Sequence, residues 1–218
     1  GDGKPRVSGH IAYRAVLKRE DVPEDLWKPD VVLWAGPRTH LVHYPLRRGE
    51  LYNLVAVFHS DHYVEGWDQA GDAALLHQHF KGQVPQVLRM LEKIDVWKMW
   101  VLCDREPVKD WSKGRATLLG DAAHPMLQYL AQGAGMAIED AQVLAQCLGP
   151  STHLNLPDAL QHYAAVRWQR NARVQARARR NGRIFHLNAP ASWGRDWALR
   201  AAGPRLMNLP WLYGYQAP

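Results

Sequence analysis

The segment GRATLLGDAAHPMLQYLAQGAGMAIEDA, from Gly114 to Ala141, constrains the fold of this chain more than any other stretch. It starts with a short apolar strand, Arg115–Leu119, and Asp121 follows the glycine that ends the strand. A Gly-Ala-Gly sequence then leads into an alanine-rich helix that we predict over Gly135–Cys147. Because open α/β sheets hold ligands at the carboxyl ends of their strands, the pattern predicts a ligand-binding turn here.

The glycines at the start of this helix suit a ligand that carries negative charge. The first backbone N–H groups of a helix have no helical partner and lie at its positive end, and glycine lets a ligand approach them closely. The carboxylate of Asp121 can accept hydrogen bonds from sugar hydroxyls. Two structural alternatives stay open: Asp121 can cap the next turn, and the glycines can serve helix packing.

The rest of the chain predicts a mostly antiparallel sheet followed by helices, an α+β or α/β organisation with a sheet domain over 1–110 and a helical region over 111–218. The predicted strands are Ser8–Arg19, Val31–Ala35, His40–Leu46, Leu51–His59 and Val96–Leu102. The other predicted helices are Gly71–Phe80, Val84–Ile94, Pro157–Asn181 and Trp193–Met207. No apolar run is long enough to span a membrane.

Much of the net charge of +6 lies between Arg167 and Arg183, a stretch with seven arginines and no acid. The spacing of these arginines places five of them along one side of a helix: Arg167, Arg170, Arg173, Arg177 and Arg180. We favour a structural interpretation, in which this face is solvated or contacts acidic neighbours, over nucleic-acid binding, since no aromatic stacking platform accompanies it.

Cysteine and histidine spacing predicts no metal site. The two cysteines, Cys103 and Cys147, form no ligand motif and indicate a reducing cytoplasm. The pairs His59 with His62 and His77 with His79 lack further ligands at suitable spacing, so we expect them to be surface or core residues.

The string GDAAHPM…YLAQGAGMAIEDA resembles the second flavin-binding motif of the single-component FAD-dependent aromatic hydroxylases, which include p-hydroxybenzoate and salicylate hydroxylases. The resemblance implies that Asp121 binds the ribityl or pyrophosphate part of FAD and that Pro125 shapes the turn beneath the flavin. It also implies that the pyrimidine edge is held by the backbone of Gly133, Ala134, Gly135 and Met136. NADH or NADPH would supply the electrons.

The same resemblance covers essentially the whole chain as the later half of such an enzyme. The family binds the ADP half of FAD with a GxGxxG unit, and no strand in this sequence is followed by that pattern. We therefore expect a fragment that contains the substrate region and a partial FAD-binding region. Such a fragment should bind FAD weakly or not at all and should be inactive alone.

The substrate is expected to meet the sheet. Strand alternation puts His40, Val42 and Tyr44 on one face, where an imidazole near its ordinary pKa could take a phenolic proton and a tyrosine could orient the ring. Gln128 replaces a proline common in relatives, and with His40 it resembles the 3-hydroxybenzoate 6-hydroxylase branch, which forms gentisate. Structural roles for His40 in the sheet and for Gln128 in a solvated loop stay open.

The favoured function is therefore hydroxylation of a phenolic aromatic acid by a cytoplasmic flavoprotein. A homodimer is compatible with the sequence. Three alternatives remain: salicylate 1-hydroxylation to catechol, a catalytically silent basic module, and a flavoprotein that only carries FAD.

Overall fold

A computed structural model describes residues 5–61, 69–150 and 152–216. Its contacts divide the chain into two units. One, the sheet unit, contains Val7–Leu102 and Ile184–Gly194; the other, the helical unit, contains Gly1–Arg6, Cys103–Arg183 and Arg195–Pro218. The return of Ile184–Gly194 to the sheet unit has no counterpart in the predicted division at residue 110.

The sheet unit is built on a six-stranded sheet with the order β2-β3-β4-β1-β6-β5. The pairs β2–β3, β3–β4, β1–β4 and β5–β6 are antiparallel, so the predicted antiparallel sheet is confirmed. The strands are β1 (Arg6–Lys18), β2 (Val32–Gly36), β3 (Thr39–Leu46), β4 (Leu51–His59), β5 (Gln69–Gly71) and β6 (Trp97–Asp104).

One face of this sheet carries the core together with helices α1 (Ala73–His79) and α2 (Pro85–Leu91). The side chain of Asp72 caps α1 by accepting hydrogen bonds from its first amides, and a proline at the first position starts α2. The core residues come from alternate positions of the strands and from the inner sides of both helices: Ile11, Tyr13, Leu41, Leu54, Phe58, Leu76, Phe80 and Met90. His40 lies on the opposite face of the sheet, because it alternates with the core residue Leu41.

The helical unit begins with a small ribbon formed by β7 (Ser112–Lys113) and β8 (Ala116–Thr117). The strand predicted over Arg115–Leu119 is therefore too long, because the strand pairing with β7 is limited to the two residues of β8. The helices are α3 (Gly133–Cys147), α4 (Leu156–Phe185), α5 (Ala191–Met207) and α6 (Pro210–Tyr213). Within the described ranges, every helix is too short or too polar to cross a membrane.

Candidate functional site

The turn that carries Asp121 packs closely against the start of α3. Gly120 adopts a left-handed φ of 61°, and a Cβ there would lie 3.1 Å from the Cβ of Ala137. Only glycine meets both demands without strain. Asp121 is exposed, and its Oδ1 lies 3.6 Å from the position that a Cβ on Gly133 would occupy. The carboxylate therefore stands beside the first residue of α3.

The amino end of α3 carries no side-chain cap from the described residues. Gly133 and Gly135 are half-buried and Ala134 is exposed, so their backbone N–H groups are the natural donors to an oxygen outside the helix. Met136 differs from the prediction. Its N–H donates to the Gln132 carbonyl at 2.9 Å and its side chain is buried with Val174 in the core. The fourth amide is thus already used by the helix.

Asp140 ties this turn to α3 and α4. The buried carboxylate accepts hydrogen bonds from the Gly120 N–H at 3.2 Å, the Arg167 Nε at 2.7 Å and the Asn171 Nδ2 at 3.1 Å, and it pairs with His124. Burial alone raises the pKa of Asp140, but the hydrogen bonds from His124 and Arg167 outweigh it and lower that pKa. These contacts give Asp140 a structural role at the junction of the turn with α3 and α4.

The turn of Gln128 is held by its neighbour in sequence. Tyr129 is buried, and its backbone carbonyl accepts a hydrogen bond from the Asn181 Nδ2 at 3.1 Å. Its ring lies against Gly182 of α4, where a Cβ would come within 2.8 Å of the ring carbons. Gln128 itself is half-buried in a single 3₁₀ turn. Pro125, upstream, is anchored through its carbonyl, which accepts from the Gln175 Nε2 at 3.0 Å.

His40 lies in the sheet unit on the face opposite the core helices. His40 pairs with Val57 of β4, and Tyr44, four residues further along β3, pairs with Asn53. Because side chains alternate along a strand, His40 and Tyr44 lie on the same face, as predicted. His40 is 3% exposed, and its Nδ1 is hydrogen-bonded to the Nε2 of His186 at 2.7 Å. Burial, and then the nearby His10 and His59, lower the pKa of His40 to about 3. The expected imidazole near its ordinary pKa is therefore corrected to a neutral ring that resists protonation.

Sequence reasoning missed His186. It follows α4 directly, in a stretch with no ligand motif, and the return of its segment to the sheet unit brings it to His40, His59 and His10. No short-range spacing links these four histidines. His62 lies outside the described residues.

Several arginines of α4 contact acids of the helical unit. Arg170 binds both carboxylate oxygens of Glu139 at 2.7 Å, and Arg179 binds Asp104 at 2.6 Å and Glu106 at 2.8 Å. These contacts agree with the structural interpretation of the arginine-rich helix.

Asp121 and the start of α3 thus lie together in the helical unit with Gln128, whereas His40 and Tyr44 lie in the sheet unit. The donors in the helical unit fit the flavin part of FAD. An uncapped helix start suits the rim that becomes anionic on reduction, and an exposed carboxylate suits ribityl hydroxyls.

Comparison with known proteins agrees with this chemistry. Residues 15–178 match the family model described as "FAD binding domain", and the chain therefore belongs to this family. It is 43% identical to the 3-hydroxybenzoate 6-hydroxylase of Klebsiella oxytoca, covering 97% of this chain and 54% of the relative. It is 37% identical to the 3-amino-4-hydroxybenzoate 2-monooxygenase PtmB3 of Streptomyces platensis, covering 98% of this chain and 54% of the relative. The chain spans about half the length of the curated relatives it matches.

Solved structures confirm the fold. A salicylate hydroxylase in a substrate complex matches with a TM-score of 0.83 at 23% identity, over 100% of this chain and 56% of the other. Klebsiella pneumoniae HpxO with FAD and uric acid matches with a TM-score of 0.80 at 23% identity, over 94% of this chain and 52% of the other. The resemblance to FAD-dependent aromatic hydroxylases and the α+β fold class are therefore both confirmed.

Proposed function

We propose that this chain supplies the substrate-facing sheet and the flavin-facing helix of a monooxygenase that converts 3-hydroxybenzoate to gentisate. The observation that carries the proposal is the 43% identity to a 3-hydroxybenzoate 6-hydroxylase across 97% of this chain, a span that includes His40, Gln128 and the start of α3. The identity supports the reaction class, and the geometry supports the residue roles proposed below.

FAD, when bound, takes electrons from NADH or NADPH and activates oxygen for transfer to the ring. The amides of Gly133, Ala134 and Gly135 would stabilise the anionic rim, and Pro125 would shape the turn. Asp121 would bind the ribityl or pyrophosphate part, where its carboxylate would accept hydrogen bonds from ribityl hydroxyls. Each of these roles uses a group that the turn and helix already hold in place.

His40 would accept a hydrogen bond from the substrate phenol. The tautomer with its proton on Nδ1 donates to the Nε2 of His186 and leaves the His40 Nε2 as an acceptor. By accepting this hydrogen bond, His40 would polarise the phenolic O–H bond and raise the electron density on the oxygen and the ring. Because the pKa of His40 is lowered to about 3, the proton would stay with the phenol. Tyr44 would orient the ring and Gln128 would assist by donating or accepting a hydrogen bond.

The aromatic acids in the relatives' names support the proposed substrate class. A cytoplasmic location and a homodimer belong to the same proposal. Of the alternatives, salicylate 1-hydroxylation predicts a different product, and a nucleic-acid-binding module predicts salt-sensitive binding to DNA or RNA.

The test joins this chain to the N-terminal part of the Klebsiella oxytoca relative; we call the product the joined protein. Supplied with FAD, NADH and oxygen, it should convert 3-hydroxybenzoate to gentisate, identified by chromatography and mass spectrometry. The His40→Asn variant should bind FAD normally but lose at least roughly a hundredfold in turnover. Salicylate is tested as a second substrate. Faster formation of catechol from salicylate than of gentisate from 3-hydroxybenzoate, or full turnover by His40→Asn, would contradict the proposal.

A further inference from the structure

Three histidines converge in the sheet unit away from the turn of Asp121. His10, His59 and His186 each offer one ring nitrogen, and these nitrogens lie within 4.8 Å of one another. The register places His10 opposite His59 on adjacent strands, with ring centroids 4.2 Å apart. The ring of His186 lies 4.7 Å from that of His59 and 4.9 Å from that of His10.

Backbone and side-chain hydrogen bonds fix this arrangement. The His59 N–H donates to the Arg38 carbonyl at 3.2 Å, and the Arg38 N–H donates to the His186 carbonyl at 3.3 Å. The His59 Nε2 and the His186 Nδ1 share a hydrogen bond of 2.8 Å. Two ring nitrogens therefore lie close together with one proton between them, and a metal ion could take the place of that proton.

We propose that His10, His59 and His186 form a binding site for a divalent transition-metal ion such as Zn²⁺. The ion would bind the His59 Nε2, the His186 Nδ1 and one ring nitrogen of His10, and water would complete a tetrahedral site. Zinc–nitrogen bonds of about 2.0–2.1 Å separate two ligand nitrogens by roughly 3.3 Å, so the pair at 2.8 Å must move apart a little and both rings must turn toward the ion.

The charges around the cluster are mixed. Histidines bind metal ions through their neutral rings, and the positive charge of Arg38 acts on both His10 and His59. The charge of Arg38 lowers the pKa of His59 and opposes a cation, whereas the charge of Asp61 raises that pKa and favours a cation. The affinity should therefore rise when the charge of Arg38 is removed.

The site is coupled to His40 through His186. A metal on the His186 Nδ1 places the remaining proton of that neutral ring on Nε2, which then donates to the His40 Nδ1 across 2.7 Å. Neutral His40 must then carry its own proton on Nε2 and can no longer accept from a phenol. Metal binding would thus inhibit hydroxylation, a consequence that rests on the proposed function, whereas metal binding itself does not.

The binding test is calorimetric titration of this chain with Zn²⁺ in the presence of a reductant that does not bind metal. Wild type should bind one Zn²⁺ at this site. His186→Gln and His10→Gln should each bind at least roughly tenfold more weakly, while the exposed His162→Gln should match wild type. Circular dichroism checks that each variant is folded. If His186→Gln unfolds, the test rests on His10→Gln, because His10 is less buried than His186.

Two further measurements locate the ion. The Co²⁺-loaded chain should show tetrahedral ligand-field absorption without thiolate charge transfer, which separates the histidines from Cys103 and Cys147. Arg38→Asn, which suits the left-handed φ of 54° at this position, should bind Zn²⁺ severalfold more tightly. No Zn²⁺ binding, equal affinity in His186→Gln, or thiolate charge transfer would overturn the site.

The coupling is tested separately by long-range ¹H–¹⁵N correlation spectra of the histidine-labelled chain. Zn²⁺ should shift the His186 Nδ1 and make the His40 Nδ1 an unprotonated acceptor. A His40 ring that keeps its proton on Nδ1 in the Zn²⁺-bound chain would overturn the coupling. Because none of these readouts requires turnover, their failure is distinguishable from failure of the proposed hydroxylase activity.

Discussion

At the scale of single residues, Asp140 shows how one buried carboxylate organises the turn that carries Asp121. Its hydrogen bonds to Gly120, His124, Arg167 and Asn171 join the turn to α3 and α4. Arg167 is fully buried, and its positive charge is balanced by Asp140 and by Glu139. A buried ion pair contributes little over apolar packing, but breaking it leaves an uncompensated charge.

Asp140→Asn should therefore lower the free energy of unfolding by about 3 kcal/mol, because Arg167 loses its main anionic partner. The matched control is Asp158→Asn, an exposed acid near the start of α4, which should change it by less than about 1 kcal/mol. Urea denaturation followed by circular dichroism measures both. Equal losses in the two variants would show that the buried network is not what stabilises the turn.

His43 offers a prediction about pH. The Trp34 Nε1–H donates to the His43 Nε2 at 2.7 Å, so the ring proton sits on Nδ1, which is hydrogen-bonded to the Tyr52 hydroxyl at 2.8 Å. Burial lowers the pKa of His43 from 6.5 to about 4. A lowered folded pKa means that the unfolded chain takes up the proton first, so stability is complete above pH 6.5 and falls toward pH 4.

Over that interval wild type should lose up to roughly 3 kcal/mol relative to His43→Gln, which has no imidazole to protonate. The unfolding free energies of both proteins, measured across the interval, give the difference directly. If the difference stays constant with pH, His43 does not carry this linkage.

At the scale of elements, the sequence predicted well wherever the pattern was local. The alternation in HLVHYPL and the turn Arg47–Gly49 define a hairpin, and β4 begins and ends at the predicted residues, Leu51–His59. The predicted strand Arg115–Leu119 was too long, because the length of a strand depends on its pairing partner, which the local sequence does not reveal. The histidine cluster was invisible for a similar reason, since its members meet only through tertiary structure.

Gly182 is a second feature that no local pattern indicated. Gly182→Ala should lower the free energy of unfolding by about 1–3 kcal/mol, because the added Cβ meets the ring of Tyr129 at 2.8 Å. Gly194→Ala in α5, where no atom lies within 4 Å of the added Cβ, is the matched control and should be neutral or stabilising by up to about 1 kcal/mol. Urea denaturation tests both.

In the same variant, nuclear magnetic resonance should show a shifted side-chain amide for Gln128, since its turn is held by Tyr129. A Gly182→Ala protein as stable as the Gly194→Ala protein would contradict close packing between α4 and this turn.

At the scale of the whole molecule, the chain corresponds in length to about half of its curated relatives. The motif around Asp121 sufficed to recognise the family, because its strand, turn and helix start are contiguous in sequence. The lowered pKa of His40 could not be predicted from the sequence, because it depends on burial and on neighbours from distant segments. The absence of a GxGxxG sequence leads us to expect weak FAD binding by the chain alone and tight binding by the joined protein.

The most direct measurement of the central claim is FAD titration of the joined protein by fluorescence quenching. Gly133→Val places a side chain between the first amides of α3 and the Asp121 carboxylate, whereas Ala145→Val makes a similar change at an exposed position near the other end of the helix. We predict at least roughly tenfold weaker binding for Gly133→Val, about 1.4 kcal/mol, and unchanged binding for Ala145→Val. FAD binding by Gly133→Val as tight as that of the unsubstituted joined protein would contradict a flavin site at this helix start.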